Sequence, residues 1–323
     1  MKAIEIARTG GPEVLDLVDK PARAPGEGEV AVRQSAVGLN FIDVYHRTGL
    51  YPVKLPFTPG VEGAGRVEAV GPGVAGFKPG DRVAYGTANN GGYGEVNVVP
   101  AGRLVLLPDG VSEETAAAMM LKGLTAQYLI KSTYRVKAGD TILVHAAAGG
   151  VGLILCQWAK HLGATVIGTV GSDEKAALAR ANGCAHTILY RSEDVAARVR
   201  EITGGKGVPV VYDSVGKATF EGSLNSLGPL GLFVSFGNAS GPVPPIDPLI
   251  LAAKGSLFFT RCSVFTYSAP PGALAAMARD LFEVVAGGKV RIAIGRRFAL
   301  AEAPAAHRAL EGRETTGASL LIP

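Results

Sequence analysis

A chain of 323 residues with 47% hydrophobic and 19% charged residues is long enough for two folded domains, and its composition excludes an intrinsically disordered protein. The formal net charge of +4 comes from scattered basic residues, which argues against a nucleic-acid-binding or membrane-binding tail. The sequence predicts no membrane-spanning helix and no signal peptide, since no window approaches eighteen uncharged apolar residues and the first residues lack an apolar core.

The three cysteines, Cys156, Cys184 and Cys262, lie far apart and form no CxxC motif. This spacing favours buried thiols over disulfides or metal ligands. We therefore expect the chain to work in a reducing cytoplasm.

The first 125 or so residues are predicted to be rich in β-strands. Short apolar stretches at 29–37, 65–70, 82–84 and 96–99 are separated by turns that contain glycine and proline. A helix is predicted from about Glu113, with Ser112 as its N-cap.

From about Thr141 the pattern changes to apolar runs that alternate with helical stretches. The runs cover 141–145, 164–170, 187–190, 209–213, 231–235 and 256–260, and the helices between them include 173–182, 193–203 and 220–227. Six such runs predict an α/β fold with a doubly wound parallel sheet. The tail is predicted to hold helices at 274–285 and near 303–311 and a strand at 318–322, which we interpret as a return to the first domain.

The strongest single motif is TILVHAAAGGVG at 141–152, in which an apolar strand runs into Ala147-x-Gly149-x-x-Gly152 and an amphipathic helix follows at once. Gly149 lacks the Cβ that would block a pyrophosphate, and Gly152 lets the helix pack on the strand. The strand–helix context raises the value of the motif, although Ala147 stands at the first glycine position. The alternative is a glycine-rich turn that binds nothing.

The end of the second strand predicts the type of dinucleotide. NAD enzymes usually carry an acidic residue there for the ribose hydroxyls, but this strand ends in Gly171-Ser172, with Lys175 and Tyr190 to follow. A small polar residue and a nearby cation suit a 2′-phosphate. Lys175 as a solvated helix lysine and Tyr190 as a sheet-edge aromatic are the alternatives.

Taken together, these residues resemble the zinc-free quinone oxidoreductases, the ζ-crystallin-like branch of the medium-chain dehydrogenase/reductase superfamily, over nearly the whole chain. The stretches that carry the resemblance are NFIDVYHRTGLYP (40–52), PGVEGAGRVEAVG (59–71), LKGLTAQYL (121–129), HAAAGGVGLILCQWAKHLGA (145–164), GTVGSDEK (168–175), VVYDSVGK (210–217), VSFGNASG (234–241) and the C-terminal GASLLIP. One departure is Arg261-Cys262, where close relatives often have Arg-Pro.

The resemblance implies a GroES-like, partly open β-barrel catalytic domain from residues 1–125 and 265–323. It also implies a Rossmann domain from residues 126–264, with NADPH in the cleft. Members of the family are typically homodimers whose last Rossmann strands pair edge to edge, here around 256–260.

The resemblance also implies a set of cofactor contacts. Ser172, Lys175, Tyr190 and Arg313 would surround the adenosine phosphate, and Gly149, Gly150 and Val151 would face the pyrophosphate. Asn40, Lys122, Thr125, Phe236, Asn238 and Ser240 would line the ribose and nicotinamide end. The remaining predicted contacts are Ala148, Gly171, Ser214, Gly237 and Phe265.

Aligned to zinc-dependent relatives, the chain has Asn40, Val61 and Leu121 at the positions of the catalytic zinc ligands. Valine and leucine cannot ligate zinc, so we predict no metal. Without a Lewis acid, alcohol oxidation is disfavoured, and an acceptor that takes a hydride readily, such as a quinone, is favoured.

The predicted catalytic residues are Asn40, Tyr45 and Tyr51, which would line the acceptor pocket and hydrogen-bond a developing oxyanion. The alternative for both tyrosines is packing at the rim. Asp43 is interpreted as a residue that anchors the loop or orients a neighbour, and His46 and His145 as structural residues. No proton donor is assigned, and transfer of a hydride and transfer of single electrons both stay open.

Two other functions stay open on the sequence. The first is an NADPH-dependent reductase of alkenes conjugated to a carbonyl group, on the same fold. The second is a non-catalytic protein that binds NADPH or RNA, although scattered basic residues without interleaved aromatics argue against RNA.

Overall fold

A computed structural model describes all residues from 1 to 323. Fifteen strands run through the chain. They are β1 (Lys2–Glu5), β2 (Asp16–Asp19), β3 (Glu29–Leu39), β4 (Gly63–Val70), β5 (Arg82–Tyr85), β6 (Val96–Pro100), β7 (Val105–Leu106), β8 (Thr141–Val144), β9 (Thr165–Val170), β10 (Cys184–Leu189), β11 (Val208–Asp213), β12 (Leu227–Ser235), β13 (Phe258–Arg261), β14 (Ile294–Ala299) and β15 (Ala318–Ile322).

Ten α-helices lie between these strands, and none of them combines the length and the apolar character that crossing a membrane requires. They are α1 (Phe41–Thr48), α2 (Glu113–Tyr128), α3 (Gly150–His161), α4 (Asp173–Ala181), α5 (Val195–Ile202), α6 (Phe220–Ser226), α7 (Pro248–Ala253), α8 (Val264–Tyr267), α9 (Ala273–Ala286) and α10 (Ala303–Glu311).

The chain forms two compact units. Unit 1 consists of residues 1–124, 271–286 and 292–323, and unit 2 consists of residues 125–270 and 287–291.

Unit 2 is built on a six-stranded sheet in the order β10-β9-β8-β11-β12-β13, and all five of its strand pairs are parallel. This is the strand order of a Rossmann fold, with its switch point between β8 and β11. Apolar residues such as Leu143, Ile167 and Val211 are fully buried in its core. The predicted doubly wound sheet is therefore confirmed.

Two strands of unit 2 begin three or four residues earlier than the apolar runs predict. β10 begins at Cys184 rather than at Thr187, and β12 begins at Leu227 rather than at Gly231. In β12 the residue Leu230 has a positive φ of 60°, and the register with β11 shifts between Val208 and Val210. The glycines and proline that signal a turn in the sequence thus belong to an irregular strand.

Unit 1 contains a seven-stranded sheet in the order β14-β15-β3-β4-β5-β7, with β6 paired to β3. β15 pairs with β3 antiparallel, so the last strand of the chain lies beside one of the first. A separate antiparallel pair, β1 with β2, was not predicted because these strands of four residues carry no clear alternation.

Candidate functional site

The turn between β8 and α3 brings the backbone of unit 2 into an unusual conformation. Ala146 has a positive φ of 53°, and Gly149 is the N-cap of α3. A Cβ on Gly149 would lie 3.2 Å from the carbonyl oxygen of Ala146 and touch nothing else. A Cβ on Gly152 would lie 2.8 Å from the backbone carbon of Ala147, which is too close for any real side chain. Gly152 therefore serves packing, while Gly149 keeps the outer face of the turn bare.

The first turn of α3 suits an anion. The helix has 12 residues, its first turn carries no acidic side chain, and Lys160 and His161 lie in its last turn. The first N–H groups of a helix have no partner within it, and the helix dipole makes this end positive. Polarised donors at a bare backbone turn are what a pyrophosphate needs.

The carboxyl ends of β9 and β10 lie next to this turn in the sheet and carry polar side chains. The Ser172 hydroxyl caps α4 by accepting the backbone N–H of Lys175 at 3.4 Å. Tyr190 follows β10 and is 37% exposed. A Cβ on Gly171 would lie 2.6 Å from the Tyr190 hydroxyl oxygen, so Gly171 leaves room for that ring.

The loops after β11 and β12 hold each other through hydrogen bonds. The backbone N–H of Ala239 donates to the carbonyl of Ser214 at 3.2 Å, and the Ser240 hydroxyl donates to the carbonyl of Val215 at 2.8 Å. A Cβ on Gly237 would lie 2.9 Å from the Cα of Ser214. The two loops therefore form one continuous backbone surface at the same edge of the sheet as the β8–α3 turn.

A buried cluster of polar side chains connects the strand ends at this edge of the sheet. His145 lies 3.0 Å from the Thr169 hydroxyl through Nδ1 and 3.0 Å from the Ser223 hydroxyl through Nε2. Ser223 donates to Asp213 Oδ2 at 2.8 Å, and Asp213 Oδ1 accepts the backbone N–H of Val215 at 2.8 Å. Burial lowers the pKa of His145. The cluster ties the ends of β8, β9 and β11 together, and its full burial gives it a structural role.

In unit 1, a buried carboxylate gathers the side chains of Asn40 and Lys122. Glu62 Oε2 accepts from Lys122 Nζ at 2.7 Å and from Asn40 Nδ2 at 2.8 Å, and Oε1 accepts the backbone N–H of Leu121 at 2.7 Å. A buried charge is tolerated when it is paired and its lone pairs are satisfied, as they are here. Gly38 makes the approach possible, since a Cβ there would collide with Glu62 and with the backbone of α2.

A second buried chain of polar groups in unit 1 starts at Asp43. The Tyr93 hydroxyl donates to Asp43 Oδ2 at 3.1 Å and lies 3.0 Å from His307 Nε2. Arg47 Nη1 lies 3.1 Å from His307 Nδ1, and Arg47 also forms a two-pronged ion pair with Glu311. Because Tyr93 donates its only proton to Asp43, Nε2 of His307 donates to Tyr93 and Nδ1 accepts from Arg47. The group fixes α1 to α10 and confirms Asp43 as an anchor.

Burial shifts the pKa values of Asp43 and His307, two members of this chain of polar groups, in opposite directions. Burial raises the pKa of Asp43 to about 7, against the stabilising donors Asn40 N–H and Tyr93. Burial, with the nearby charge of Arg47, lowers the pKa of His307 to about 3. The neutral imidazole assigned by the hydrogen bonds is therefore the form expected at neutral pH.

The Asp43 carboxyl should make the stability of the protein depend on pH. Near pH 7 the folded protein takes up a proton at Asp43, whereas the unfolded chain stays ionised down to about pH 4. The stabilisation is therefore present at low pH and is lost as the pH rises through 7. Relative to Asp43→Asn, the unfolding free energy of the wild type should rise by about 2 kcal/mol between pH 7.5 and 5.5.

Urea denaturation of both proteins at the two pH values measures this difference. Asp16→Asn, at an exposed position on β2, is the matched control and should leave the pH dependence unchanged. Parallel pH curves for the wild type and Asp43→Asn would show that Asp43 has an ordinary pKa.

Tyr45 and Tyr51 pack against each other, with ring centroids 5.1 Å apart in an edge-to-face arrangement. The backbone N–H of Tyr51 donates to the carbonyl of Tyr45 at 3.0 Å. Tyr45 is buried, with 7% of its surface exposed. The two predicted catalytic tyrosines therefore form one aromatic pair at the end of α1.

Comparison with known proteins identifies the family. The family described as alcohol dehydrogenase GroES-like domain matches residues 26–109, and the family described as zinc-binding dehydrogenase matches residues 150–279. A quinone oxidoreductase of Pseudomonas aeruginosa is 56% identical over 323 residues, which cover 100% of this chain and 99% of the relative. The chain belongs to the quinone oxidoreductase family. Its superfamily is that of the medium-chain dehydrogenases/reductases, as the resemblance implies.

Other members of the superfamily match as completely. A crystal structure of Escherichia coli quinone oxidoreductase complexed with NADPH has a TM-score of 0.98 and 48% identity, and all of both chains is covered. A 2-haloacrylate reductase of a Burkholderia species is 44% identical, over 99% of this chain and 98% of the relative. The GroES-like domain and the parallel Rossmann sheet are thus common to this chain and its relatives.

In this member of the quinone oxidoreductase family, most of the predicted cofactor-binding residues of unit 2 lie at the carboxyl edge of the parallel sheet. They are Ala148, Gly149, Gly150, Val151, Gly171, Ser172, Lys175, Tyr190, Ser214, Phe236, Gly237, Asn238 and Ser240. Thr125 lies on α2 and Phe265 on α8. The strand order brings the residues at this edge together, although 92 positions separate the first of them, Ala148, from the last, Ser240.

The other predicted residues lie in unit 1. Asn40 and Lys122 meet at Glu62, and Arg313 follows α10 with a positive φ of 59°. Although one matching family is described as zinc-binding, no group of three or more His, Cys, Asp or Glu side chains here is arranged to hold a metal ion.

Sequence reasoning missed Glu62 and the partners of His145 and His307. Glu62 lies within PGVEGAG, where a lone acidic residue among small apolar residues is a recognisable signal of a buried, paired charge. The partners of the two histidines lie up to 78 positions from His145 and up to 260 positions from His307. No local pattern connects residues at such separations.

Proposed function

We propose that this chain catalyses the NADPH-dependent reduction of quinones without a metal ion. The support is the match, over the whole chain, to relatives named quinone oxidoreductases, one of them crystallised with NADPH. The single observation that carries the proposal is the bare β8–α3 turn, where Gly149 would crowd only one backbone oxygen if it bore a Cβ.

The residues of unit 2 fit the phosphates of NADPH. The N-terminus of α3, beside the bare turn at Gly149, provides backbone donors for the pyrophosphate that have no partner within the helix. Ser172, Lys175 and Tyr190 provide a hydroxyl, a cation and a phenol at the neighbouring strand ends. The nearby carboxylates, Asp173 and Glu174, belong to the first turn of α4 and do not stand at the end of β9 itself. The cofactor contacts of Asn40, Lys122, Thr125 and Arg313 stay predictions.

Bound NADPH supplies a hydride, which carries two electrons to the quinone. The quinone then needs one more proton to become a hydroquinone, and water can supply it. The residues of this chain would bind and orient the two reactants. Backbone donors would hold the pyrophosphate, and the pair of Tyr45 and Tyr51 would form one wall of the acceptor pocket. We propose the GroES-like unit as the one that determines the choice of acceptor.

A second candidate function is the reduction of alkenes conjugated to a carbonyl group. It is favoured by one observation, the 44% identity to a 2-haloacrylate reductase over nearly the full length of both chains. Both reactions consume NADPH and deliver a hydride, so the fold does not separate them.

An acceptor panel tests the proposal. The purified chain is mixed with NADPH and either a quinone, an enone or 2-chloroacrylate, and the loss of absorbance at the NADPH band is followed. We expect turnover of the quinones at least tenfold more efficient than that of the other acceptors. Faster turnover of the conjugated alkenes would favour the second function, and binding of NADPH without any turnover would exclude both.

We also propose a homodimer in a reducing cytoplasm. β13 is the last strand of its sheet and pairs only with β12, and its residue Phe258 is 58% exposed. An open edge with an exposed aromatic is well suited to pairing with a second copy. The three buried cysteines are thiols, including Cys156 and Cys184 with sulfur atoms 3.5 Å apart, in keeping with a reducing compartment.

A further inference from the structure

The amide of Asn40 has both of its N–H groups committed inside unit 1. Nδ2 donates to Glu62 Oε2 at 2.8 Å and to the carbonyl oxygen of Gly38 at 3.2 Å. Both partners are acceptors only, so the amide atom that faces them must be the nitrogen. The orientation of the amide is therefore fixed by chemistry, and Asn40 has no N–H left to donate.

The carboxylate of Glu62 enforces this orientation because it is itself fixed. Lys122 Nζ, at 2.7 Å, holds it as an ion, and the backbone N–H of Leu121 holds its other oxygen at 2.7 Å. Glu62 is completely buried and Lys122 is 5% exposed, so water does not compete for these bonds. An ionised carboxylate in a dry site cannot donate to Asn40, which leaves the amide a single orientation.

The remaining atom of the amide, Oδ1, makes no capping hydrogen bond to α1, although Asn40 is the N-cap of that helix; the Asp43 N–H donates to the backbone carbonyl of Asn40 instead. Asn40 as a whole is only 7% exposed, yet Oδ1 is not an unpaired atom sealed inside the protein. Oδ1 is thus the side-chain atom of Asn40 that is left to contact a ligand. It has two lone pairs and can accept a hydrogen bond from a donor group of that ligand.

We propose that Glu62 is a positioning residue that turns Asn40 into a pure hydrogen-bond acceptor for a donor group of the bound ligand. This inference rests on the proposed function, which supplies two donors: the carboxamide N–H of a nicotinamide and the O–H of a hydroquinone product. It differs from the sequence-based hypothesis that the Asn40 amide donates to an oxyanion, since that would require the N–H groups that Glu62 and Gly38 occupy.

Ligands that lack one donor distinguish the two sources. Binding of NADPH is compared by calorimetry with binding of its reduced 3-acetylpyridine analogue, in which a methyl group replaces the carboxamide NH2. Inhibition by a hydroquinone is compared with inhibition by its monomethyl and dimethyl ethers. We expect the wild type to bind the ligand lacking the relevant donor about tenfold more weakly in one of the two series, since a buried acceptor is then left without a partner.

Variants at Glu62 test the positioning role. In Glu62→Gln one carboxylate oxygen becomes an NH2 group that can donate to Asn40, and only the Gly38 carbonyl then still favours the inward nitrogen. The amide orientation is no longer enforced by Glu62, and the ratio of affinities should fall to about 2 or less. Glu68→Gln is the matched control, at an exposed carboxylate on the same strand that pairs with Arg33, and it should keep the wild-type ratio.

A charge-conserving double variant, Asn40→Asp with Glu62→Gln, provides the rescue. The carboxylate introduced at position 40 would then pair with Lys122, accept from the amide introduced at position 62 and keep one oxygen as an acceptor for the ligand. We expect the double variant to recover a ratio of at least about 5. It also replaces the single variant as a test if Glu62→Gln does not fold.

Each outcome bears on the inference. A wild type that binds NADPH and reduces quinones but shows no preference in either series overturns the inference alone, as does a folded Glu62→Gln with an unchanged ratio. A wild type that binds neither NADPH nor its analogue overturns the proposed function and this inference with it. A preference that disappears in Glu62→Gln and returns in the double variant supports it.

Discussion

Replacing Gly149 with alanine should weaken NADPH binding roughly 100-fold while the protein stays folded. The new Cβ would lie 3.2 Å from the Ala146 carbonyl oxygen and near nothing else, so a shift of a few tenths of an ångström accommodates it. The same methyl group would cover the outer face of the turn, where the backbone N–H groups of α3 must come close to the pyrophosphate. Calorimetric titration with NADPH and thermal unfolding measure the two effects separately.

Two further glycines serve as comparisons. In Gly152→Ala the Cβ would meet the backbone of Ala147 at 2.8 Å, so α3 must move away from the end of β8. This variant should lose stability, by about 1–3 kcal/mol, together with binding. A Cβ on Gly222, in α6 of the same unit, meets nothing within 4 Å, and Gly222→Ala should leave binding unchanged. Unchanged NADPH affinity in a folded Gly149→Ala would show that the pyrophosphate binds elsewhere.

Replacing Lys175 with alanine should raise the Michaelis constant for NADPH roughly 10- to 100-fold, since a hydrogen bond to a charged group contributes about 1.5–3 kcal/mol. The constant for NADH, which has no 2′-phosphate, should stay nearly unchanged. Lys175 is the third residue of α4, and its backbone is fixed by the Ser172 cap. Its helix begins directly after β9, at the strand end where NAD enzymes carry a carboxylate.

The steady-state kinetics of each variant with both cofactors measure this change in preference. Arg180→Ala is the control on the same helix, because Arg180 donates to the Thr187 hydroxyl rather than lying at the strand end. Lys175→Arg should retain most of the preference for NADPH, and the preference of the wild type should weaken at high salt. An equal rise in both Michaelis constants would place Lys175 away from the 2′-phosphate.

Much of unit 2 could be predicted from the sequence because its signals are local. An apolar run followed by Gly149, Gly152 and an amphipathic helix gives the strand, the turn and the helix together. In unit 1 the sequence also predicts the helices α9 and α10 and the strand β15 to within one residue, since each is bounded by glycine, proline or a clear change of pattern. The irregular start of β12 escaped prediction because Gly228 and Gly231 have the appearance of a turn.

The sequence by itself determined the succession of strands and helices, the bare glycine turn between β8 and α3 and the family, because each depends on neighbouring residues or on motifs read in order. Only the tertiary structure decided which way the Asn40 amide points and what holds His145 and His307. Those outcomes depend on Glu62, Ser223 and Arg47, which lie 22, 78 and 260 positions from their partners. The physical reason is that a buried polar group must find its partner wherever folding brings one, and sequence spacing carries no record of that choice.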